Sequence, residues 1–278
     1  MIKQVITIVR EAGDILTKYH KSENLNIRIK EGNKHMTVTK ADIEADKLIR
    51  KRLRRKFPLD SILSEESNSR ITDYRERVWI VDPLDGTNHF IAGEDDFCII
   101  VGLCINGKPL LGVIYLPIKD ELYYAINGKG AYFQKGETVK RINVSGVKRL
   151  SESKAILAHS YEGNNGIDPL LNRLHVKEKL QRCCAGVAIM KVAKGEADFY
   201  VNSTFTSSTW DTCGAQIILE EAGGKLTDLR GISIDYITSH PRLMHSFMAS
   251  NGAVHQALVE KFAIEARRTS KKLFKLEK

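Results

Sequence analysis

The ten residues Trp79-Ile80-Val81-Asp82-Pro83-Leu84-Asp85-Gly86-Thr87-Asn88 constrain this chain more than any others. An apolar run delivers two carboxylates three positions apart, with a proline between them and a Gly-Thr turn after them. Proline has no N–H to give to a ladder, so the spacing predicts a strand that stops at Pro83 and splays the chain. Carboxylates so placed can hold a hard divalent cation through oxygen. The amides of Gly86 and Thr87 can meet an anion beside it. Cation next to anion is the outline of a pocket for a phosphate group.

The bulk of the chain excludes several alternatives. Its 278 residues suffice for one large domain or two moderate ones. Hydrophobic content of 42% and charged content of 28% are those of a soluble globular protein. No run of about 18 apolar residues exists, so no membrane helix is expected. Met1-Ile2-Lys3-Gln4 leads into an amphipathic pattern and not an apolar signal block, which predicts a cytoplasmic protein. The five cysteines, Cys98, Cys104, Cys183, Cys184 and Cys213, contain no Cys-x-x-Cys pair and read as buried reduced thiols. A net charge of +9 requires that nucleic acid be weighed as a partner. The basic residues between Lys47 and Lys56 flank Leu48, Ile49 and Leu53 at helical spacing, so they form a solvated helix face. The basic tail from Arg267 to Lys278 reads as a frayed end. Neither run has the aromatic interleaving of a single-strand binder, and no nucleic-acid polymer is expected.

Periodicity places the elements. Val5, Ile8, Val9, Ala12, Ile15, Leu16 and Tyr19 share one helical face. A second helix is expected after Thr39, with Thr39 as cap and Asp42 in the first turn, ending before Pro58. Strands are predicted at 62–64, 78–81, 97–105, 110–116, 121–126 and 131–134, with hairpin turns at Asn106-Gly107 and Asn127-Gly128. This half predicts helices on an antiparallel sheet. After a boundary near 136–147 the order alternates. Strands are expected at 155–160, 198–201, 225–228 and 247–250. Helices are expected at 169–174, 185–193, 210–222 (closed by Gly223-Gly224) and 253–267.

Two further elements accompany the central one: Ser64-Glu65-Glu66-Ser67 upstream, and Trp210-Asp211-Thr212-Cys213-Gly214-Ala215 with Glu220-Glu221-Ala222-Gly223-Gly224 downstream. In this order, from about Thr37 to about Gly231, they resemble the inositol monophosphatase superfamily. The resemblance implies an α+β and α/β layered α-β-α-β-α sandwich of two lobes, with the metal site between them. The N-terminal lobe, 1–140, would carry most metal ligands. The C-terminal lobe, 141–278, would carry Asp211 and the walls that select substrate. It implies two or three Mg2+ ions and inhibition by lithium. Asp82 would bridge two ions, Glu65 and the Leu84 carbonyl would complete the first, and Asp85 and Asp211 would hold the second. Thr87, polarised by Asp42, would orient the attacking water, with Glu65 also in the catalytic set. Gly86, Thr87, Arg182 and Asp211 would meet the substrate. Glu66 reads either as a ligand of a third cation or as a solvated neighbour. Trp210 reads as packing, and His89, which has no identifiable partner in the sequence, as non-catalytic. A phosphate-facing lysine could be Lys30 or Lys34.

The expected activity is hydrolysis of a small phosphorylated metabolite, most simply an inositol monophosphate. A 3′(2′),5′-bisphosphate nucleotidase acting on 3′-phosphoadenosine 5′-phosphate is the alternative. By the resemblance, Ser207-Ser208-Thr209-Trp210-Asp211-Thr212 is compatible with it, Thr204 standing where inositol phosphatases have a glutamate weakens the inositol assignment, and Asn88-His89-Phe90 matches neither branch. Fructose 1,6-bisphosphate and histidinol phosphate stay open, as does a non-catalytic binder of phospho-ligands. The resemblance also implies a possible homodimer and no membrane partner.

Overall fold

The computed structural model describes residues 1–22, 25–29, 37–67, 77–158, 174–203, 207–237 and 246–263. Lys30 and Lys34, Ser160, Thr204, the tail from Arg267 and most of the helix expected at 169–174 lie outside the described residues.

Two amphipathic helices open the chain. Helix α1 (Ile2–Tyr19) buries Val5, Ile8, Val9, Ala12 and Leu16. Helix α2 (Lys40–Lys56) begins at the expected cap. Ala41 N–H donates to Thr39 Oγ1 at 3.2 Å, and Thr39 N–H donates to Asp42 Oδ2 at 2.8 Å, which satisfies two donors at the open helix end. Lys47, Lys51, Arg54, Arg55 and Lys56 are exposed, as a solvated face requires. A two-stranded ribbon, β1 (Arg28–Ile29) with β2 (Thr37–Val38), precedes α2. Among the described residues no helix is long and apolar enough to cross a membrane.

A seven-stranded sheet follows in chain order: β3 (Ser61–Ser64), β4 (Arg77–Asp85), β5 (Cys98–Ile105), β6 (Lys108–Leu116), β7 (Glu121–Ile126), β8 (Ala131–Lys135) and β9 (Thr138–Ile142). The short helix α3 (Thr87–Ile91) interrupts the run after β4. The expectation of a purely antiparallel sheet is corrected at its first edge, where β3 and β4 run parallel. The stretch between Ser64 and Arg77 supplies the dozen or so residues a parallel crossover needs. Strand β9 falls in the stretch 136–147, where the sequence predicts a boundary. Of its residues only Ile142 is buried, so the sequence carries almost no apolar signal there. Asn106 and Gly107 take φ of 51° and 72°, the paired positive values of a tight hairpin between β5 and β6.

Alternation along β5 sets the layers. Ile99, Val101 and Leu103 face α1 and α2. Cys98 and Ile100 face the opposite way, onto helices α4 (Ala185–Ala193) and α5 (Thr209–Glu221). Beyond those helices lies a second sheet, ordered β11-β10-β12-β14-β13, built from β10 (Lys154–Ala158), β11 (Glu178–Leu180), β12 (Phe199–Asn202), β13 (Lys225–Asp228) and β14 (Phe247–Ser250). Its inner residues Ile156, Tyr200, Phe247 and Ala249 join the core around α4 and α5. Its outer residues Ala155, Phe199, Val201 and Met248 pack with Val254, Leu258 and Phe262 at the helix α6 (255–263). The layers therefore run helix, sheet, helix, sheet, helix.

Helix α5 lies close against the first sheet because glycine faces glycine. A Cβ on Gly112 would stand 2.1 Å from the Gly214 carbonyl oxygen, and one on Gly102 2.8 Å from the Gly214 nitrogen. At its far end Glu221 accepts from the Gly128 and Gly130 amides at 2.7 and 2.6 Å, fixing the helix to the β7–β8 hairpin. Gly223, at φ 93°, and Gly224 then end it as expected, Gly224 N–H donating to the Leu219 carbonyl. Gly112→Ala is expected to lower the unfolding free energy by about 1–3 kcal/mol, the range for overpacking a tight core. An unchanged urea midpoint would show that the helix retreats at no cost.

Candidate active site

Residues three apart on a regular strand point to opposite faces. Asp82 and Asp85 nevertheless share one face, because β4 does not stop at Pro83. It continues to Asp85 across a bulge: Asp82 pairs with Ile100 and Asp85 with Cys98, so three steps on β4 match two on β5. Proline needs no ladder partner for an N–H it lacks, and the bulge gives it a place where none is required. This corrects the expectation that the proline ends the strand. Leu84 N–H donates to Asp82 Oδ1 at 2.9 Å and closes the bulge.

Gly86 makes the turn out of the strand at φ 94°. A Cβ there would also stand 2.9 Å from Cys184 Cβ, so only glycine lets the start of α4 approach. Gly186 N–H donates to Asp85 Oδ2 at 2.6 Å. Asp211, in the first turn of α5, accepts from Ser208 N–H at 2.8 Å, so it serves its helix start as well as the cleft. Asp82, Asp85 and Asp211 thereby bring one carboxylate oxygen each within 4.8 Å of one another. Glu65, Leu84, Gly86, Thr87 and Arg182 line the same cleft. Asp42 stands behind it: Thr87 Oγ1 lies 3.2 Å from Asp42 Oδ1 and 3.2 Å from the Leu84 carbonyl oxygen. Trp210 packs with Leu63, Ile80 and Tyr236, consistent with a structural role.

Burial pushes the Asp82 carboxyl well above the usual carboxylate range, and the charges of Glu65, Asp211 and Asp85 add to the rise. Asp211 is raised in the same way, by burial first and then by Asp85 and Glu65. Asp85 is raised by burial but opposed by the Gly186 amide. The donors are carboxylate and main-chain oxygens, the set that hard divalent cations take, and their mutual repulsion is what such a cation would relieve. The neighbouring thiols are poor nucleophiles: burial pushes Cys98 up to about 11 and Cys183 up to about 12.

Three features escaped the sequence reading. Asp46 is buried and accepts from Ser64 Oγ at 2.5 Å and from Arg50 at 2.6 and 2.8 Å, bracing the strand end that carries Glu65. Its signal was available: Asp46 lies within the apolar face formed by Ala45, Ile49 and Leu53. The Cys98 and Cys184 thiols gather at Asp85, a juxtaposition no spacing announces. His89 does have a partner, Glu94, at 2.5 Å. His89 lies on α3 and Glu94 five residues on, past the helix end.

The chain is similar to known proteins along most of its length. The model of the inositol monophosphatase family matches residues 1–268. The chain is 31% identical over 263 residues to the inositol-1-monophosphatase of Bacillus subtilis (strain 168), covering 91% of this chain and 93% of that one. It is 32% identical over 241 residues to the 3′(2′),5′-bisphosphate nucleotidase CysQ of Salmonella typhimurium, covering 85% and 94%. The solved structure of a Thermotoga maritima IMPase superposes with a TM-score of 0.80 at 28% identity, covering 95% of this chain and 96% of that one.

Two measurements follow from this geometry. Asp46→Ala strands the Arg50 guanidinium and the Ser64 hydroxyl, and should cost ~3 kcal/mol of stability in denaturant unfolding. A loss near zero would remove Asp46 from the bracing role. The raised carboxyls make the folded state hold protons that an unfolded Asp, near 3.8, releases. Their contribution is most favourable below that value and is lost as pH climbs through the folded values. A divalent cation should therefore raise Tm more at about pH 7.5 than at about pH 5. Equal increments would place the cation away from these carboxylates.

Proposed function

The chain belongs to the inositol monophosphatase family, and from that premise we propose how its cleft hydrolyses a small phosphate monoester. The observation that carries the reading is the convergence of Asp82, Asp85 and Asp211 within 4.8 Å, beside a threonine hydroxyl bonded to a buried aspartate.

Two or three magnesium ions would be held by Glu65, Asp82, the Leu84 carbonyl oxygen, Asp85 and Asp211. When bound they neutralise charge on the phosphoryl group and acidify a water. The remaining roles fall to the protein. Thr87 has one hydroxyl proton and two acceptors at 3.2 Å. Donating that proton to Asp42 leaves the Thr87 oxygen to accept from a water in the cleft, which orients the water and gives its proton a route to a carboxylate. Asp42 is held for this by its other oxygen, which accepts from the Thr39 amide at 2.8 Å and the Thr39 hydroxyl at 2.5 Å. The Gly86 and Thr87 amides, at the start of α3, would meet phosphate oxygens. Arg182, which lines the same cleft, would supply a cationic wall. No Ser or Cys nucleophile is required.

An inositol monophosphate is the substrate this reading favours, in line with the Bacillus relative. A 3′,5′-bisphosphorylated nucleoside is the second reading, supported by the Salmonella relative and by the Thr209-Trp210-Asp211-Thr212 run at the cleft.

Phosphate release with and without magnesium should separate the two, with inositol 1-phosphate, 3′-phosphoadenosine 5′-phosphate, fructose 1,6-bisphosphate and histidinol phosphate as substrates. One of them should show a magnesium-dependent kcat/KM far above the rest. Asp82→Asn and Asp211→Asn should each cut turnover by at least ~100-fold, as removal of a group that stabilises transition-state charge does. Both should hold or gain stability in chelator, because each removes a buried like charge. Full activity in either variant would sink the assignment. Thr87→Ala should lose activity that Thr87→Ser restores.

A further inference from the structure

Asp85 belongs to two groups of ligand atoms. One is the carboxylate cluster. The other is Asp85 with Cys98 and Cys184, whose oxygen and sulfur atoms also lie within 4.8 Å of one another. Cys98 Sγ stands 3.6 Å from Asp85 Oδ2. A tetrahedral ion with sulfur at ~2.3 Å and carboxylate oxygen at ~2.0 Å separates those two atoms by about 3.5 Å. The spacing present is thus the spacing such an ion needs. The two sulfurs lie within 4.8 Å of each other.

Gly186 keeps the space open. A Cβ at that position would meet Cys98 Sγ at 2.6 Å and Asp85 Oδ2 at 2.9 Å. Its amide meanwhile holds Asp85 Oδ2 in the orientation that faces the thiols. Access runs through the cleft, which both Asp85 and Cys184 line, while Cys98 is fully buried behind them. Two thiols and one carboxylate on the wall of an open cleft leave a fourth position for water, the arrangement of an open rather than a closed zinc site.

We propose that Asp85, Cys98 and Cys184 form a second cation site, for a thiophilic divalent ion such as zinc or cadmium, adjoining the oxygen-lined site. Hard and soft cations then share Asp85 but differ in their other ligands. Magnesium has no affinity for the sulfurs, and zinc or cadmium gains two thiolates that the carboxylate cluster cannot supply. Binding here is read without turnover, so it stands or falls separately from the phosphatase reading.

The test is a cadmium titration of the purified full chain in excess magnesium, followed by the thiolate-to-metal charge-transfer absorbance in the ultraviolet. A step complete at one equivalent is expected. X-ray absorption of the loaded protein should find two sulfurs on the ion. Cys98→Ser and Cys184→Ser should each weaken cadmium binding by at least ~10-fold, since loss of even an outer-shell partner costs that much. Cys104→Ser, which alters the other buried thiol pair beside Cys213, should bind as before. No absorbance step, a sulfur count other than two, or affinity lost in Cys104→Ser and kept in Cys98→Ser would overturn the site. Two sulfurs alone would also fit the Cys104 and Cys213 pair, so where a serine variant misfolds the alanine variant at the same position replaces it.

Discussion

Like charges do not gather out of water unless something holds them. Asp82, Asp85 and Asp211 repel one another around one point of the cleft, and the fold around them works against that repulsion. Each accepts one main-chain N–H: from Leu84 at 2.9 Å, Gly186 at 2.6 Å and Ser208 at 2.8 Å. Those donors come from a strand bulge, the first turn of α4 and the cap of α5. Three separate parts of the chain each present one rigid dipole to one carboxylate. A hydrogen bond to an ionised group is stronger than one between neutral groups, so the repelling set is both oriented and partly compensated. What remains uncompensated is the affinity for positive charge.

The same logic reaches outward. Asp42 and Asp46 leave α2 one turn apart on its buried side. Asp42 turns to Thr87, and Asp46 turns to Ser64 beside Glu65. One helix thus supports two different edges of the cleft. Its outer face, meanwhile, is lysine and arginine in water, and that exposed surface accounts for much of the basic charge that first suggested a polymeric partner.

Much of this was legible in the sequence because it is local. The cap at Thr39, the hairpin at Asn106-Gly107, the glycine stop at Gly223-Gly224 and the alternation of β5 are each fixed by neighbours within a few residues. The candidate metal ligands could be named because three short motifs carry them. What could not be read depends on contacts across the chain. The parallel pairing of β3 is set by where a crossover lands, and β9 is held by an edge rather than by apolar burial. Strand β4 survives its proline only because β5 tolerates the mismatch opposite it. Cys184 reaches Asp85 through the side-chain-free space at Gly86 and Gly186, and no pattern in either segment predicts the meeting.

The glycine contact beneath α5 makes the helix a lever. Glu221 is the end clamped to the β7–β8 hairpin, and Asp211 stands near the other end, at the cleft. At ~1.5 Å per residue the point of contact at Gly214 lies ~10 Å from the clamp, and Asp211 lies ~15 Å from it. Any thickening of the gap at Gly102 or Gly112 therefore moves Asp211 about half as far again as it moves Gly214. The spacing between a sheet and a helix in the core is in this way magnified into the spacing between carboxylates in the cleft. Three residues without side chains hold that gap to the tolerance that chemistry at the cleft demands.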